Sequence, residues 1–248
     1  MKLISYGGGV QSTCMVLMAL EGALERPDVV VFADTGSEMP STYRTVDRVK
    51  QLCVDDGLEF VKVQHGVLYE DYIKQGILPR IGNSSCTGNY KINPIRRYLR
   101  ANQCEDGPKP WSEVWIGITT DESRRMRESD VKWVKNRFPL IEANMSRDDC
   151  QTWINENYIG INPEKSGCFH CHFNKAHHWG MLKRDHPELF AIALEMEESA
   201  NKGQYEFRNG LYRNKTIKIF DYSHQLTDFG VEIYPGDVDC STAGGCFV

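Results

Sequence analysis

The stretch LISYGGGVQST, residues 3–13, decides the fold that this sequence predicts. It begins with a short apolar run typical of a buried strand, continues with three glycines and ends in a helical pattern. Glycine accepts positive φ angles and leaves backbone N–H groups uncovered, and the first N–H groups of a helix attract anions. A tight turn and a phosphate-binding loop would both use such a connection. The stretch lacks the lysine of a Walker A site and the glycine spacing of a dinucleotide fold.

The next 150 residues repeat this alternation of strands and helices. Further strands are predicted at residues 29–33, 59–63, 112–118 and 138–141, with helices at 11–24, 41–56, 92–102 and 146–156. This rhythm predicts an α/β fold, a doubly wound and mostly parallel five-stranded sheet with helices on both faces. Ligands of such sheets bind at the carboxyl ends of the strands, so the loops that follow the strands are candidate binding loops.

The pattern changes after residue 160. A Cys-x-x-Cys motif leads into helices from about residue 174 to residue 201, and a polar tail rich in small residues follows. We expect an α/β domain over residues 1–165. A second segment, residues 166–248, is expected to pack on it as a helical C-terminal extension with a flexible tail.

Bulk composition limits the class of protein. The sequence has no apolar run near the about 18 residues that a membrane helix needs, and no signal-peptide pattern, so a cytoplasmic protein without a membrane partner is expected. The formal net charge of -5 gives no general attraction for nucleic acid. Nine cysteines, an odd number in such a chain, favour reduced thiols, a metal or redox chemistry over a disulfide framework.

Two further motifs accompany the glycine loop. They are DTGSEMPSTY at residues 34–43 and GITTDESRRM at residues 117–126. Together with the loop they resemble the superfamily of ATP pyrophosphatases and phosphoadenosine phosphosulfate reductases. The resemblance departs at Gln11, where an Asp is usual in the first loop, and at Thr119, where an Arg is usual in the third.

The resemblance implies a binding site for an adenine nucleotide, either ATP or an adenylyl sulfate nucleotide, with Mg²⁺. Its first loop would grip the phosphates, and the other two motifs would complete the site. The residues that it implies for nucleotide binding are Gly7, Gly8, Gly9, Gln11, Ser12, Thr13, Asp34, Thr35, Gly36, Gly117, Glu122, Ser123 and Arg125.

A cysteine motif gives a second resemblance. The stretch CTGNYKINPI, which begins at Cys86, and the later Cys168 and Cys171 are similar to the cluster-binding motifs of adenosine phosphosulfate reductases. Those enzymes hold a 4Fe-4S cluster with four cysteines, whereas Thr87 stands here in place of one of them. Three thiolates would leave one iron open for sulfur, as in iron–sulfur tRNA thiolation enzymes of the same superfamily. The same motif implies a catalytic role for Lys91.

Zinc is the competing interpretation of these cysteines. Cys168 and Cys171 could bind Zn²⁺ together with one or two histidines from the set His170, His172, His177 and His178. Cysteines without any metal are the third alternative.

Two more thiols lie near the C-terminus, at Cys240 and Cys246. Sulfonucleotide reductases use a cysteine near the C-terminus as nucleophile, although their E-C-G-L-H motif is missing here. Either thiol could attack sulfur, carry a persulfide or provide a fourth cluster ligand. Two exposed terminal thiols without a role are the alternative.

These features support three functional hypotheses. The first is an adenine-nucleotide-dependent sulfurtransferase that adenylates a substrate, such as a tRNA or DNA base, and inserts sulfur from a thiol or persulfide donor. The second is a sulfonucleotide reductase that releases sulfite from adenosine phosphosulfate or its 3′-phosphorylated form. The third is a nucleotide-binding or metal-binding module without turnover. A homodimer is a further expectation.

Overall fold

The structure is a computed structural model that describes residues 1–79, 85–202, 210–212 and 216–220. Contacts between Cα atoms divide these residues into two units. The first unit contains Met1–His65 and Thr87–Gly167, and the second contains Gly66–Cys86 and the described residues from Cys168 onward. The domain division expected from the sequence, with a boundary after residue 165, stays a prediction. Among the described helices, none combines the length and the apolar character that crossing a bilayer requires.

A five-stranded parallel sheet forms the centre of the first unit, in the order β3-β2-β1-β4-β5. Its strands are β1 (Lys2–Tyr6), β2 (Val29–Asp34), β3 (Glu59–Gln64), β4 (Ser112–Ile116) and β5 (Val134–Arg137). The central strand β1 pairs through Leu3 with Val29 of β2 and with Val114 of β4. The predicted α/β fold with a parallel five-stranded sheet is therefore confirmed.

Helices connect the strands and continue into the second unit. They are α1 (Val10–Leu20), α2 (Pro40–Asp55), α3 (Leu68–Gln75), α4 (Ser85–Thr87), α5 (Asn93–Asn102), α6 (Pro139–Glu142), α7 (Arg147–Asn157), α8 (Ala176–Asp185) and α9 (Pro187–Lys202). A π-helical turn at Gly88–Ile92 runs directly into α5, and 3-10 turns lie at Thr120–Arg125 and Ile217–Phe220. Of these helices, α3, α4 and α6 had no counterpart among the helices predicted from the sequence.

The two faces of the sheet carry different helices, because alternate side chains of a strand point to opposite faces. Ile4 and Trp115 belong to a buried cluster with side chains of α1, α2 and α7. Leu3 and Val114 belong to another cluster, which Ile95 and other side chains of α5 complete. Both faces are thus covered, as a parallel sheet requires.

The fifth strand was predicted in the wrong place. Residues 138–141 do not form it; β5 ends at Arg137, and α6 begins at Pro139. Proline is favoured at the first position of a helix, because its φ is already helical and an N–H is not needed there. The apolar run at 138–141 therefore marks the start of a helix, in which Leu140 is fully buried.

The second unit contains α3, α8 and α9. The Ser199 hydroxyl of α9 donates to the carbonyl of Ile73 in α3 at 2.5 Å. Glu197 of α9 is 1% exposed, and its carboxylate accepts the N–H of Leu211 at 2.7 Å and that of Ile217 at 3.1 Å. A buried carboxylate needs such donors, so Glu197 connects Leu211 and Ile217 to α9.

Candidate functional site

The glycine loop lies between β1 and α1 and is tightly fitted to its surroundings. Gly8 has a φ of 72°, and a Cβ added there would come within 2.7 Å of the Thr42 methyl group. A Cβ on Gly9 would come within 2.7 Å of the Ser166 hydroxyl oxygen. The Gly7 N–H donates to the Ser12 hydroxyl oxygen at 3.2 Å, which braces the loop against the helix. Larger residues would not fit at Gly8 or Gly9 without displacing these neighbours.

The start of α1 follows this loop directly, with Gly9 as the N-cap residue. The N–H of Thr13 makes the first intrahelical bond, to the Gly9 carbonyl at 2.9 Å, and no acidic residue occupies the first turn. The N–H groups before it and the helix dipole suit an anion such as a phosphate. The Thr13 hydroxyl lies 3.2 Å from that of Tyr6 and is fully buried, so a nucleotide contact of Thr13 would have to use its backbone.

The third loop, residues 117–119 between β4 and the 3-10 turn, lies directly against this helix start. A Cβ added at Gly117 would come within 2.9 Å of the Ser12 nitrogen and 3.1 Å of the Ser12 Cα. Because both are backbone atoms, a rotamer change could not relieve the overlap. The first and third sequence motifs are therefore brought together, with the 3-10 turn that contains Ser123 immediately after the third loop.

A polar network explains the glutamine in the first loop. The Gln11 amide nitrogen donates to the Glu122 carboxylate at 3.4 Å, and the Arg147 guanidinium donates to the Gln11 amide oxygen at 3.4 Å. Arg125 forms an ion pair with the same Glu122 carboxylate at 2.6 Å. An amide can both donate and accept, whereas an aspartate at this position would bring a like charge toward Glu122. Gln11 thus suits the neighbours that this chain provides.

Replacing Gln11 by glutamate should therefore weaken both stability and nucleotide binding. We expect Gln11→Glu to lower the free energy of unfolding by about 1–2 kcal/mol, because a carboxylate would replace the donor that faces Glu122. Chemical denaturation measures the change. Gln51→Glu is the matched control, since Gln51 also donates to a carboxylate, that of Asp55, on the exposed surface of α2. Equal losses in the two variants would contradict the assignment.

The second loop follows β2 and is organised around Asp34. This carboxylate accepts hydrogen bonds from the Gly36 N–H and the Tyr43 hydroxyl, both at 2.8 Å, and pairs with Lys62 at 2.5 Å. Burial raises the pKa of Asp34, but the bonds from Lys62, Gly36 and Tyr43 outweigh this effect and hold the pKa below its usual range. Asp34 is therefore a buried anion that shapes the loop.

Asp34→Asn should destabilise the protein in a pH-dependent way. A carboxylate with a lowered pKa stabilises the folded state above its unfolded-state pKa, and this contribution is lost as the pH falls through the folded-state value. We expect a loss of about 1–3 kcal/mol at pH 7 that shrinks below about pH 4. Urea titrations at several pH values measure it. Asp130→Asn, at an exposed partner of Arg96, is the control. If the loss of unfolding free energy caused by Asp34→Asn did not change with pH, the explanation would be contradicted.

Lys91 pairs with a carboxylate from the second loop. Its ammonium lies 3.4 Å from Oε1 of Glu38, and their side chains are 17% and 1% exposed. The Thr35 hydroxyl donates to the same oxygen at 3.2 Å. The structure thus brings Lys91 and Thr35, both predicted site residues, onto one buried glutamate that the sequence argument did not single out.

A cavity of about 370 Å³ lies on the face of the sheet that α5 covers, opposite α1. Ile95 and Val114 contribute to its apolar walls, and Lys91 and Arg125 also line it. The buried Ser5 hydroxyl, from a residue that lines the cavity, has no hydrogen-bond partner among the residues that the structure describes. The space is large enough for a small ligand with both apolar and charged groups.

The three predicted metal ligands all belong to the second unit. Burial raises the pKa of Tyr72, its hydrogen bond with Ser85 lowers it, and negative charge on Cys86 and Cys168 raises it. Cys171 follows in a turn in which its N–H donates to the Cys168 carbonyl at 3.1 Å. All three cysteines are half-buried.

The three cysteines agree with a metal site in residue type and burial. Thiolates of this number and partial burial suit an iron–sulfur cluster as a donor set. Among the described parts of the chain, no group of three or more His, Cys, Asp or Glu side chains is close enough to hold a metal ion. The three cysteines are thus suitable metal ligands by residue type, and their binding of one metal centre stays a prediction.

The histidines proposed as alternative zinc ligands differ in their surroundings. His170 is 1% exposed, and burial lowers its pKa to about 3, so its ring is neutral at physiological pH. His178 lies with Nε2 2.9 Å from the Phe169 carbonyl.

The two tail thiols that were predicted to act in catalysis, Cys240 and Cys246, lie outside the described residues.

Three contributors to this site were missed from the sequence: Glu38, Lys62 and Arg147. Glu38 falls inside the second motif, but nothing in its spacing points to Lys91, which is far away in the sequence. Lys62 and Arg147 reach Asp34 and Gln11 from other elements. Only the folded chain reveals such pairings.

Comparison with protein families gives one match that spans most of the chain. The model described as phosphoadenosine phosphosulfate reductase domain matches residues 2–171. This range includes the three loops of the site and all three predicted metal ligands. The family match therefore rests on the same part of the chain as the geometry described above.

Two curated relatives are similar at low identity. An uncharacterized protein of Methanocaldococcus jannaschii is 24% identical over 234 residues, which cover 86% of this chain and 45% of that protein. An uncharacterized nin region protein of Escherichia phage lambda is 24% identical over 223 residues, which cover 79% of this chain and 73% of that protein. The chain thus spans less than half the length of the archaeal relative.

Two solved structures are also similar. A phosphoadenylyl-sulfate reductase from Candida auris, in its phosphate complex, has a TM-score of 0.45 at 17% identity and covers 62% of this chain and 72% of its own. A U34-tRNA thiolase from Methanococcus maripaludis, with its [4Fe-4S] cluster, has a TM-score of 0.46 at 14% identity, with coverages of 93% and 81%. Both TM-scores are too low for either structure to support a conclusion about this chain.

Proposed function

Because the chain belongs to the phosphoadenosine phosphosulfate reductase domain family, we propose that it is an adenine-nucleotide-dependent sulfurtransferase. Members of this family are enzymes of the phosphosulfate reductase type. The observation that carries the proposal is the start of α1, where close-packed glycines place uncovered N–H groups at the carboxyl edge of the sheet. This edge is where parallel α/β sheets bind their ligands.

In the proposed reaction ATP binds with its phosphates at this helix start. An oxygen of the acceptor attacks the α-phosphorus, the bond to the bridging oxygen breaks, and pyrophosphate leaves with the electron pair. The terminal sulfur of a persulfide then displaces AMP from the adenylated acceptor. A second thiol attacks the remaining S–S bond, so that sulfur stays on the acceptor and a disulfide leaves.

The residues of the first unit would contribute positioning and charge neutralisation to these steps. The N–H groups at the start of α1 hold phosphate oxygens, together with Mg²⁺. Lys91 and Arg125 both line the cavity on the face that α5 covers, and they would supply positive charge to the leaving pyrophosphate and AMP. Both cations lie beside carboxylates, which keeps them in place before the nucleotide arrives.

The cysteines of the second unit would supply the sulfur chemistry. Cys86, Cys168 and Cys171 are the residues that would hold a 4Fe-4S cluster, with Zn²⁺ as the alternative metal. When bound through three thiolates, such a cluster offers one open iron to an external sulfur atom. A tRNA or DNA base as acceptor, and a second copy of the chain as partner, are proposed from the sequence resemblance alone.

A sulfonucleotide reductase is the second candidate, favoured by the description of the matching family model. A cysteine thiolate would attack the sulfur of adenosine phosphosulfate or its 3′-phosphorylated form, the S–O bond would break, and the nucleotide would leave. A second thiol would then release sulfite from the thiosulfonate and form a disulfide. Cys240 and Cys246 are the proposed nucleophiles.

One experiment separates these candidates. The protein is purified without oxygen, its iron, sulfide and zinc are measured, and product release is followed with ATP and with adenosine phosphosulfate. Pyrophosphate from ATP, in the presence of an acceptor, supports the sulfurtransferase. Sulfite that disappears in the Cys240→Ser and Cys246→Ser variants supports the reductase instead. Nucleotide binding without either product would support a module without turnover.

A further inference from the structure

Glu38 has a buried carboxylate with an unusual set of neighbours. Its side chain is 1% exposed, and its Oε1 receives both the Lys91 ammonium at 3.4 Å and the Thr35 hydroxyl at 3.2 Å. Its other oxygen, Oε2, is buried and has no hydrogen-bond partner among the described residues. A carboxylate is costly to bury even when all its acceptor sites are used, and here one oxygen is left over.

Packing alone gives no reason for a carboxylate at this position. A glutamine would occupy the same volume, and an apolar residue would remove the cost of burial altogether. Among the described residues, Lys91 is the one partner of Glu38 that requires a negative charge, since the Thr35 hydroxyl can donate equally well to an amide oxygen. The negative charge of Glu38 therefore acts on Lys91.

Lys91 is placed where a ligand can reach it. It is one of the residues that line the cavity of about 370 Å³, in which Ser5 contributes a buried hydroxyl without a partner. Lys91 belongs to the π-helical turn before α5, and Glu38 belongs to the loop after β2. Lysine has a long, flexible side chain, and pairing with a rigid buried carboxylate restricts the positions that its ammonium can take.

We propose that Glu38 is a positioning residue, which holds the Lys91 ammonium in place for the anionic end of the nucleotide. Glu38 is not among the residues that line the cavity and its side chain is 1% exposed, so we assign it no contact with the ligand. The inference rests on the proposed function, because it requires an adenine nucleotide at this site. It adds to that function a residue that acts only through Lys91.

A pure charge effect and a positioning role of Glu38 predict opposite changes in ATP affinity for the Glu38→Gln variant. If Glu38 acted only through its charge, Glu38→Gln would strengthen ATP binding, because a negative charge near a polyanion is removed. If Glu38 positions Lys91, the variant should bind ATP about five- to tenfold more weakly, because the ammonium is no longer held in place. Binding of adenosine, which has no phosphate, should stay within about twofold of wild type.

A double-mutant cycle tests whether the effect passes through Lys91. Titration calorimetry with ATP and Mg²⁺ compares the wild type with Glu38→Gln, Lys91→Met and the combined variant. We expect Lys91→Met to weaken ATP binding at least about tenfold and the combined variant to bind no more weakly than Lys91→Met. Glu156→Gln, on the exposed surface of α7, is the control and should bind as the wild type does.

The outcomes are distinct. Tighter ATP binding in Glu38→Gln, an equal loss of ATP and adenosine binding, or additive losses in the combined variant would each overturn the positioning role while leaving the proposed function intact. If the wild-type protein bound neither ATP nor adenosine phosphosulfate, the proposed function would fall, and this inference with it. Thermal unfolding confirms that each variant is folded.

Discussion

Gly117→Ala should abolish most nucleotide binding and destabilise the protein strongly. The added Cβ would lie 2.9 Å from the Ser12 nitrogen and 3.1 Å from its Cα, so the third loop and the start of α1 would have to move apart. Overpacking against backbone typically costs about 1–3 kcal/mol, and we expect the upper end of this range because no side chain can rotate away. The same movement would displace the N–H groups proposed to hold phosphate. ATP affinity should therefore fall more than about tenfold.

Gly167→Ala is the matched control for this prediction. A Cβ at Gly167 would meet no atom within 4 Å, so the substitution adds the same methyl group in open space. Chemical denaturation and titration calorimetry measure the two effects separately. If Gly117→Ala unfolded and bound ATP as Gly167→Ala does, the close approach of the third loop to α1 would not be needed for the site.

Replacing any one of Cys86, Cys168 and Cys171 by serine should lower the iron content of the anaerobically purified protein about tenfold. Serine has nearly the volume of cysteine, so the fold should survive while a thiolate ligand is lost. The measurements are iron and acid-labile sulfide per chain, and the visible absorption of the cluster. All three variants should behave alike, because each would remove one of three ligands.

Cys104→Ser provides the comparison for these variants. Cys104 is exposed, and its thiol donates to the Asp106 carboxylate at 3.0 Å, away from the proposed ligands in the sequence. It should keep the wild-type iron content. Iron that persists in Cys168→Ser and Cys171→Ser would exclude these residues as ligands. Zinc in place of iron, lost in the same variants, would favour the zinc alternative.

The fold could be predicted well from local patterns. Buried strands such as β2 contain continuous apolar runs, here VVVFA, and the glycines at residues 7–9 mark the turn into α1. The prediction was wrong at residues 138–141, where an apolar run that includes a proline at its second position begins a helix instead of a strand. Hydrophobicity alone does not distinguish a short buried strand from a short buried helix.

The candidate site could be predicted only in part. Its loops were found because glycines and short motifs are local signals. The pairing of Lys91 with Glu38, and of Gln11 with Arg147, depends on residues far apart in the sequence, and charge patterns carry no information on such partners. The family resemblance identified which residues to consider, but the contacts that hold them came from the fold.

The position of β1 in the centre of the sheet has a consequence for how the chain is made. The N-terminal ammonium of Met1 donates to the carbonyl of Trp111, 110 residues later, and Lys2 pairs with Glu113. During synthesis on the ribosome, β1 can therefore pair with β2 early, but its other edge stays unpaired until β4 has been synthesised. An unpaired strand edge in a growing chain can form incorrect hydrogen-bonded pairs with other strands or other chains. Slow synthesis between β2 and β4 would prolong this interval, and the yield of folded protein should depend on it.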